Sequence, residues 1–275
     1  MQISLVAVVL VLHTYIGLHI IRRGIIFSDL VLDQLAAFGV MLGVGLGIRY
    51  GTPMSYLLAM GSTLVGCVLL VLLRPRKGGI PQEAVIGILY GMALAISLLL
   101  ADKVREGGAS FSATLVGSML WVSWPLVLVT IAIYLGMGFL HIVFRKPIIR
   151  LAEDPGEWRG RAVWDFLFFV TQGVITILIV PVAGVLLAYG FLMIPAAIGT
   201  MFSRRWLPAL LIGWCSGVAA CVLGIFGSYR MNSPYGPTMM IAMGLFFALA
   251  LIISTIISRG NRTAEHVQRN EEDAL

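Results

Sequence analysis

Residues 164–202 read WDFLFFVTQGVITILIVPVAGVLLAYGFLMIPAAIGTMF, and after Asp165 this run holds no charged side chain. One crossing of a bilayer takes about 20 mostly apolar residues, because roughly 30 Å of hydrocarbon is covered at 1.5 Å per residue. The run is close to twice that length. It therefore predicts two membrane crossings joined by a tight reversal at Pro181 or Gly184, since irregular backbone inside a membrane must be brief and sheltered.

The same criterion, carried outward along the chain, gives nine candidate spans at 3–21, 28–48, 54–73, 82–101, 117–144, 164–181, 183–202, 207–227 and 236–258. The predicted class is an all-α integral membrane protein with about 8–9 transmembrane helices. Residues 1–258 form one polytopic domain, and 259–275 form a polar, mobile tail. Composition agrees: 59% of residues are apolar and 12% charged, against about 45–50% and 25% in soluble domains. The 31 glycines suit helices that approach closely in lipid. The first apolar stretch ends at Arg22-Arg23 and reads as a retained span rather than a cleaved leader. Cys67, Cys215 and Cys221 lie inside apolar runs without metal-ligand spacing and read as packing residues, as do the scattered methionines.

Basic residues orient these spans. With Arg22-Arg23 on the cytoplasmic side, alternation places fifteen of the 19 Lys and Arg residues there, leaving Arg49, Lys103, Arg105 and Arg230 outside. That asymmetry predicts an outside N-terminus and a cytoplasmic C-terminus in a plasma membrane. It also accounts for the net charge of +6, so lipid is the surrounding partner and no nucleic acid need be invoked. The longest polar connection, 145–163 (RKPIIRLAEDPGEWRGRAV), falls on the cytoplasmic side and reads either as a docking surface for a cytosolic partner or as a solvated loop. There is no Gly-rich phosphate loop with Lys-Ser/Thr and no nucleophile–base set. The chain reads as a transporter subunit and not an enzyme, and any ATPase must be supplied by another chain.

Ionisable groups inside a span are expensive, about 2.5–3.5 kcal/mol each on insertion scales, and are usually functional or paired. Asp29 and Asp33 stand four apart near the start of the second span, hence on one helix face. Two such carboxylates repel one another unless a cation or protons neutralise them. A divalent cation is one solution, with His13 in the first span as a nitrogen ligand and Gln34 as a neutral oxygen ligand. Each has a structural alternative: Asp29 as a helix N-terminal charge, and His13 and His19 as hydrogen-bonded packing. Glu83 and Asp165 read as N-terminal helix charges. A secondary cation transporter using the two aspartates as an ion or proton relay is the alternative function, although no internal symmetry supports it. A membrane-embedded enzyme lacks any motif.

Five segments, taken in order, resemble the permease family of ABC importers for zinc, manganese and iron. IGLHIIRRGIIFSDLVLDQLAAFG (16–39) resembles the passage from a first span through a basic pair into an Asp-bearing second span. LVGSMLWVS (115–123) is similar to the family's Gly-Ser-x-Leu segment. RLAEDPGEWRG (150–160) is similar to the cytoplasmic loop that contacts the ATPase. VAGVLLAYGFLMIPAAIGTMFSRRW (182–206) carries the most specific pattern, ending in Leu-x-Ile-Pro-Ala-Ala before a basic turn. GSYRMNSPYGPT (227–238) resembles the Ser…Pro-x-Gly link between the last two spans. The resemblance implies two permease copies on two cytoplasmic ABC ATPase subunits that bind ATP, and an extracytoplasmic metal-binding protein that delivers the ion. It implies no cofactor on this chain, with the divalent metal as substrate. In the family an Asp and a His four residues later in the second span contact the metal. Here Asp29 matches the Asp, but Asp33 stands where the family has His.

Overall fold

The computed structural model describes residues 2–49, 51–74, 80–104, 107–117, 124–154, 156 and 158–272. Ten helices follow in order: α1 (Gln2–Arg23), α2 (Ser28–Gly45), α3 (Pro53–Leu72), α4 (Gln82–Lys103), α5 (Gly107–Val116), α6 (Trp124–Val143), α7 (Arg145–Glu153), α8 (Arg161–Phe202), α9 (Trp206–Met231) and α10 (Tyr235–Glu272). Among the described residues there is no strand. Eight stretches are long and apolar enough to cross a membrane, with the two limbs of α8 counted separately. A ninth results if α6 and α7 are taken together across their 76° bend.

The predicted reversal inside 164–202 is present, and two contacts prove it. A straight helix of 42 residues would be about 63 Å long at 1.5 Å per residue. Yet Asp165, near the start of α8, pairs with Arg23, and the carbonyl of Arg204, just past its end, accepts from Arg22 at 2.8 Å. Both ends of α8 therefore meet neighbouring residues of α1, and the chain must double back. It does so at Gly184, whose φ of 80° and ψ of 159° leave the helical region. A Cβ there would overlap the backbone of Leu115, and one on Gly117 (φ 75°) would overlap Ala183, so the turn requires glycine on both sides of the contact.

The ends of the bundle are thus distinguishable. Arg22, Arg23, Arg74, Arg161 and Arg204 gather at one, here termed the basic end, and Gly184 lies at the other. α1, α2 and the limbs of α8 form the interior, while α3, α4, α9 and α10 leave large apolar residues such as Leu57, Leu99, Leu207 and Leu245 exposed around the outside. In water this would be inside-out. In lipid it is expected, because apolar side chains gain nothing by leaving hydrocarbon, and helices associate instead through close packing of small residues. Gly17 of α1 illustrates this: a Cβ there would collide with the carbonyl of Leu192 in the second limb of α8.

Three expectations change. The span placed at 117–144 begins its described helix at Trp124, and residues 118–123 of the Gly-Ser-x-Leu segment lie outside the described residues. Part of the preceding stretch, read as an outer connection, is α5, which buries Phe111 and Thr114 against the bundle. The polar tail continues α10 as helix to Glu272, since 259–272 contains one Gly, no Pro and many good helix formers.

Candidate metal-transit site

Asp29, Asp33 and Gln34 occupy the first two turns of α2, and all three are buried, at 1%, 0% and 1% exposure. The reading of Asp29 as a simple helix N-terminal charge fails on geometry. The charge that serves the start of α2 comes from α4, where Glu83 Oε1 accepts from the backbone N–H of Phe27 at 2.9 Å. Asp29 turns inward instead. Its Oδ1 accepts from Gln172 Nε2 at 2.9 Å, and the Thr176 hydroxyl stands 3.5 Å from the same oxygen. Both partners are on the first limb of α8 and are fully buried.

Asp33 and Gln34 are different. Among the described residues, no hydrogen bond of good geometry reaches either carboxylate oxygen of Asp33, which has the Thr176 hydroxyl nearby, or either amide atom of Gln34, and Gln172 Oε1 also lacks one. An unsatisfied buried polar group costs about 1–3 kcal/mol, and a charged one more. Such groups persist in native proteins where something else, such as an ion, uses them. Asp29, Asp33 and Gln34 thus lie together, buried, in the first turns of α2. His13 is buried too, but its Nδ1 bonds the Val9 carbonyl at 3.0 Å within its own helix, and its ring stacks on Tyr134 with centroids 5.8 Å apart. Tyr134 from α6 in turn donates to the carbonyl of Ile175, one residue from Thr176. Among the described residues no three His, Cys, Asp or Glu side chains come together as a ready metal cage.

Sequence reasoning missed Gln172 and Thr176. The signal was there: Gln172 and Thr176 stand four apart, the same spacing as Asp29 and Asp33, in a run with few other polar residues such as Thr171 and Thr200. It also missed the role of Asp165. That buried carboxylate is a hub at the basic end, pairing with Arg23 of α1, with Arg74 beyond α3 at 3.2 Å and with Arg161 of its own helix at 3.5 Å. Arg161 further donates to the carbonyls of Asp154 and Gly156, tying in the connection after α7. The Asp154 side chain, outside the bundle, is held below the ordinary carboxylate range by the Gly156 N–H and then by Arg150.

α7 itself packs Ile148 and Leu151 inward. From its end, Glu153 Oε1 accepts from the indole N–H of Trp206 at 3.0 Å, and the Arg22 guanidinium lies 3.8 Å over the Trp206 ring. The 145–163 connection is therefore bound to α1 and α9 through one tryptophan, which a freely solvated loop would not be.

Membrane helices, a buried carboxylate pair left short of partners, and an amphipathic helix clamped across the basic end constitute the plan of a transport subunit. The description of the ABC 3 transport family matches residues 1–254. The chain belongs to that family. Membership gives a multi-pass membrane protein of an ABC transporter in the plasma membrane, with a transport role, and does not favour a secondary transporter. The chain is 23% identical, over 96% of its length and 93% of the relative's, to the manganese transport system membrane protein MntC of Halalkalibacterium halodurans. It is 25% identical, over 82% and 76%, to the chelated iron transport system membrane protein YfeD of Yersinia pestis. Among solved structures, PsaBC from Streptococcus pneumoniae in complex with Fab shares the fold, with a TM-score of 0.72 at 20% identity over 90% of this chain and 89% of that one. A metal-chelate type ABC transporter in an inward-facing conformation gives 0.67 at 16% identity, over 90% and 84%.

Proposed function

We propose that this ABC 3 family chain is the permease through which an ATP-driven importer passes a divalent metal cation, zinc, manganese or iron, across the plasma membrane. The observation that carries the reading is the Asp29–Asp33 pair, buried on one face of α2 with Asp33 and Gln34 short of partners. A passing cation supplies the missing charge. Few and replaceable ligands suit transit, because the ion must be held long enough to be selected and then released. His13 donates its Nδ1–H to the Val9 carbonyl, which fixes the tautomer and leaves Nε2 as the nitrogen it offers. The relatives' names, for manganese and chelated iron, support the substrate class.

The rest of the machine follows from the family. Two copies of the chain pair, a cytoplasmic ATPase docks on α7 and the connection to residue 163, and an extracytoplasmic binding protein delivers the metal at the Gly184 end. The N-terminus is outside and the C-terminus inside, a reading that the basic residues gathered at one end support. Metal accumulation by the complete transporter, reconstituted in liposomes with its ATPase, tests the proposal. Uptake is expected to need ATP and to be lost in Asp29→Asn. Uptake without any ATPase sinks it.

A further inference from the structure

The wall opposite Asp29 repeats the arrangement of α2. Gln172 and Thr176 are four apart on α8, so each of two packed helices turns one polar pair toward the other within apolar surroundings. Both contacts to Asp29 fall on the same oxygen, Oδ1, and the far atom of the amide, Gln172 Oε1, is buried with no partner among the described residues. A glutamine serving only to join two helices would be expected to have both amide atoms satisfied. Here one is held back, at the mouth of a carboxylate pair.

We infer that Gln172 and Thr176 are cargo ligands that set metal preference, and that the Gln172 amide turns over as the site fills. The inference rests on the metal-transit reading above. With no ion present, the amide offers its N–H to Asp29 and keeps the carboxylate in place. A divalent cation seated between Asp29 and Gln172 repels the positive N–H side of the amide and attracts its carbonyl side. Rotation about the terminal torsion, which is broad and roughly two-fold, takes the N–H away and brings Oε1 to the ion. The Thr176 hydroxyl has two lone pairs and keeps its place by turning its hydrogen elsewhere. Asp29, Asp33, Gln172 and Thr176 bring only oxygens, so oxygen dominates the set even with the one nitrogen of His13. Carboxylate and carbonyl oxygens suit hard ions such as manganese, whereas imidazole and thiolate suit zinc. The α8 pair therefore biases the site toward harder ions, and one torsion releases the ion again.

The test is uptake of manganese and of zinc by the complete transporter, normalised to the amount of chain in the membrane. Gln172→Leu is expected to lower manganese uptake by about 10–100-fold, the scale on which metal sites respond to losing a supporting group. Gln172→His is expected to move the manganese-to-zinc ratio toward zinc by about tenfold, since imidazole is the borderline ligand; helix joining alone would not produce such a shift. Thr176→Val, nearly isosteric and lacking the oxygen, is expected to move the same ratio in the same direction as Gln172→Leu, and it decides the matter if the Gln172 variants do not reach the membrane. A wild-type ratio in these variants, with Asp29→Asn inactive, overturns the inference and leaves the proposed function standing. A wild-type ratio with Asp29→Asn also active overturns both.

Discussion

Two buried carboxylate centres lie along the first limb of α8, and they are built on opposite plans. Asp165, at the basic end, receives three guanidiniums, from α1, from α8 and from Arg74 just beyond α3. Asp33, one turn further along α2 and near Thr176, receives no hydrogen bond of good geometry from the described residues, while Asp29 receives only an amide and a hydroxyl. Both centres are equally dry, so solvent does not explain the difference. A carboxylate that fixes a structure is saturated with cations the chain carries permanently. One that handles a travelling ion, as proposed for Asp29 and Asp33, is left short, and the fold bears the cost of the shortage. Burial alone does not separate the two kinds; the partner list does.

The sharpest way to break the contrast is Asp165→Asn. Removing one member of a buried ion network strands the others and costs about 3–5 kcal/mol, so the expected result is a large fall in the thermal midpoint of the purified protein and little chain in the membrane. Asp29→Asn is expected to do the reverse. Transport falls by about 100-fold or more, as when a group essential to the passage is lost, while the midpoint holds or rises because like-charge repulsion with Asp33 is relieved. If both variants lower stability equally, the two centres are of one kind. Asp33→His restores the family's residue four after the Asp, and is expected to shift preference toward zinc by about tenfold while the protein remains folded; competition uptake reads this directly. Smallest of all, Trp206→Phe keeps a ring under Arg22 but removes the indole donor to Glu153. It is expected to cost about 0.5–1.5 kcal/mol and to lower metal-stimulated ATP hydrolysis a few-fold in the complete transporter, with uptake in proportion.

Much of the fold was legible because hydrocarbon imposes a length. The run from Trp164 to Phe202 could only be two crossings, and Gly184 was one of the two positions where it could turn. The helix α5 was not legible, since ten residues of small and apolar type fall below the length that marks a span, and their burial against α4 and α8 decides their shape. Among the site residues, Asp29, Asp33 and Gln34 showed themselves as polarity where none is affordable. Gln172 and Thr176 did not, because uncharged polar residues are common in membrane helices and only their pairing across to α2 gives them meaning. Glu83 and Asp165 were read as helix-start charges from their positions. In three dimensions Glu83 serves the neighbouring helix α2, and Asp165 binds three arginines, relations between distant residues that no local pattern carries.

The glycine turn of α8 has a mechanical consequence. From Gly184 to Phe202 is eighteen residues, an arm of about 27 Å at 1.5 Å per residue. Its pivot is pinned where the backbones of α5, α8 and α10 touch, at Gly117, Gly184 and Gly236, and its free end lies next to Trp206, Glu153 and α7. A swing of only about 10° at that pivot carries the free end about 5 Å, roughly twice the length of a metal–oxygen bond. The two limbs are joined at the far tip like the arms of tweezers, so a displacement applied at the α7 end acts through the longest lever.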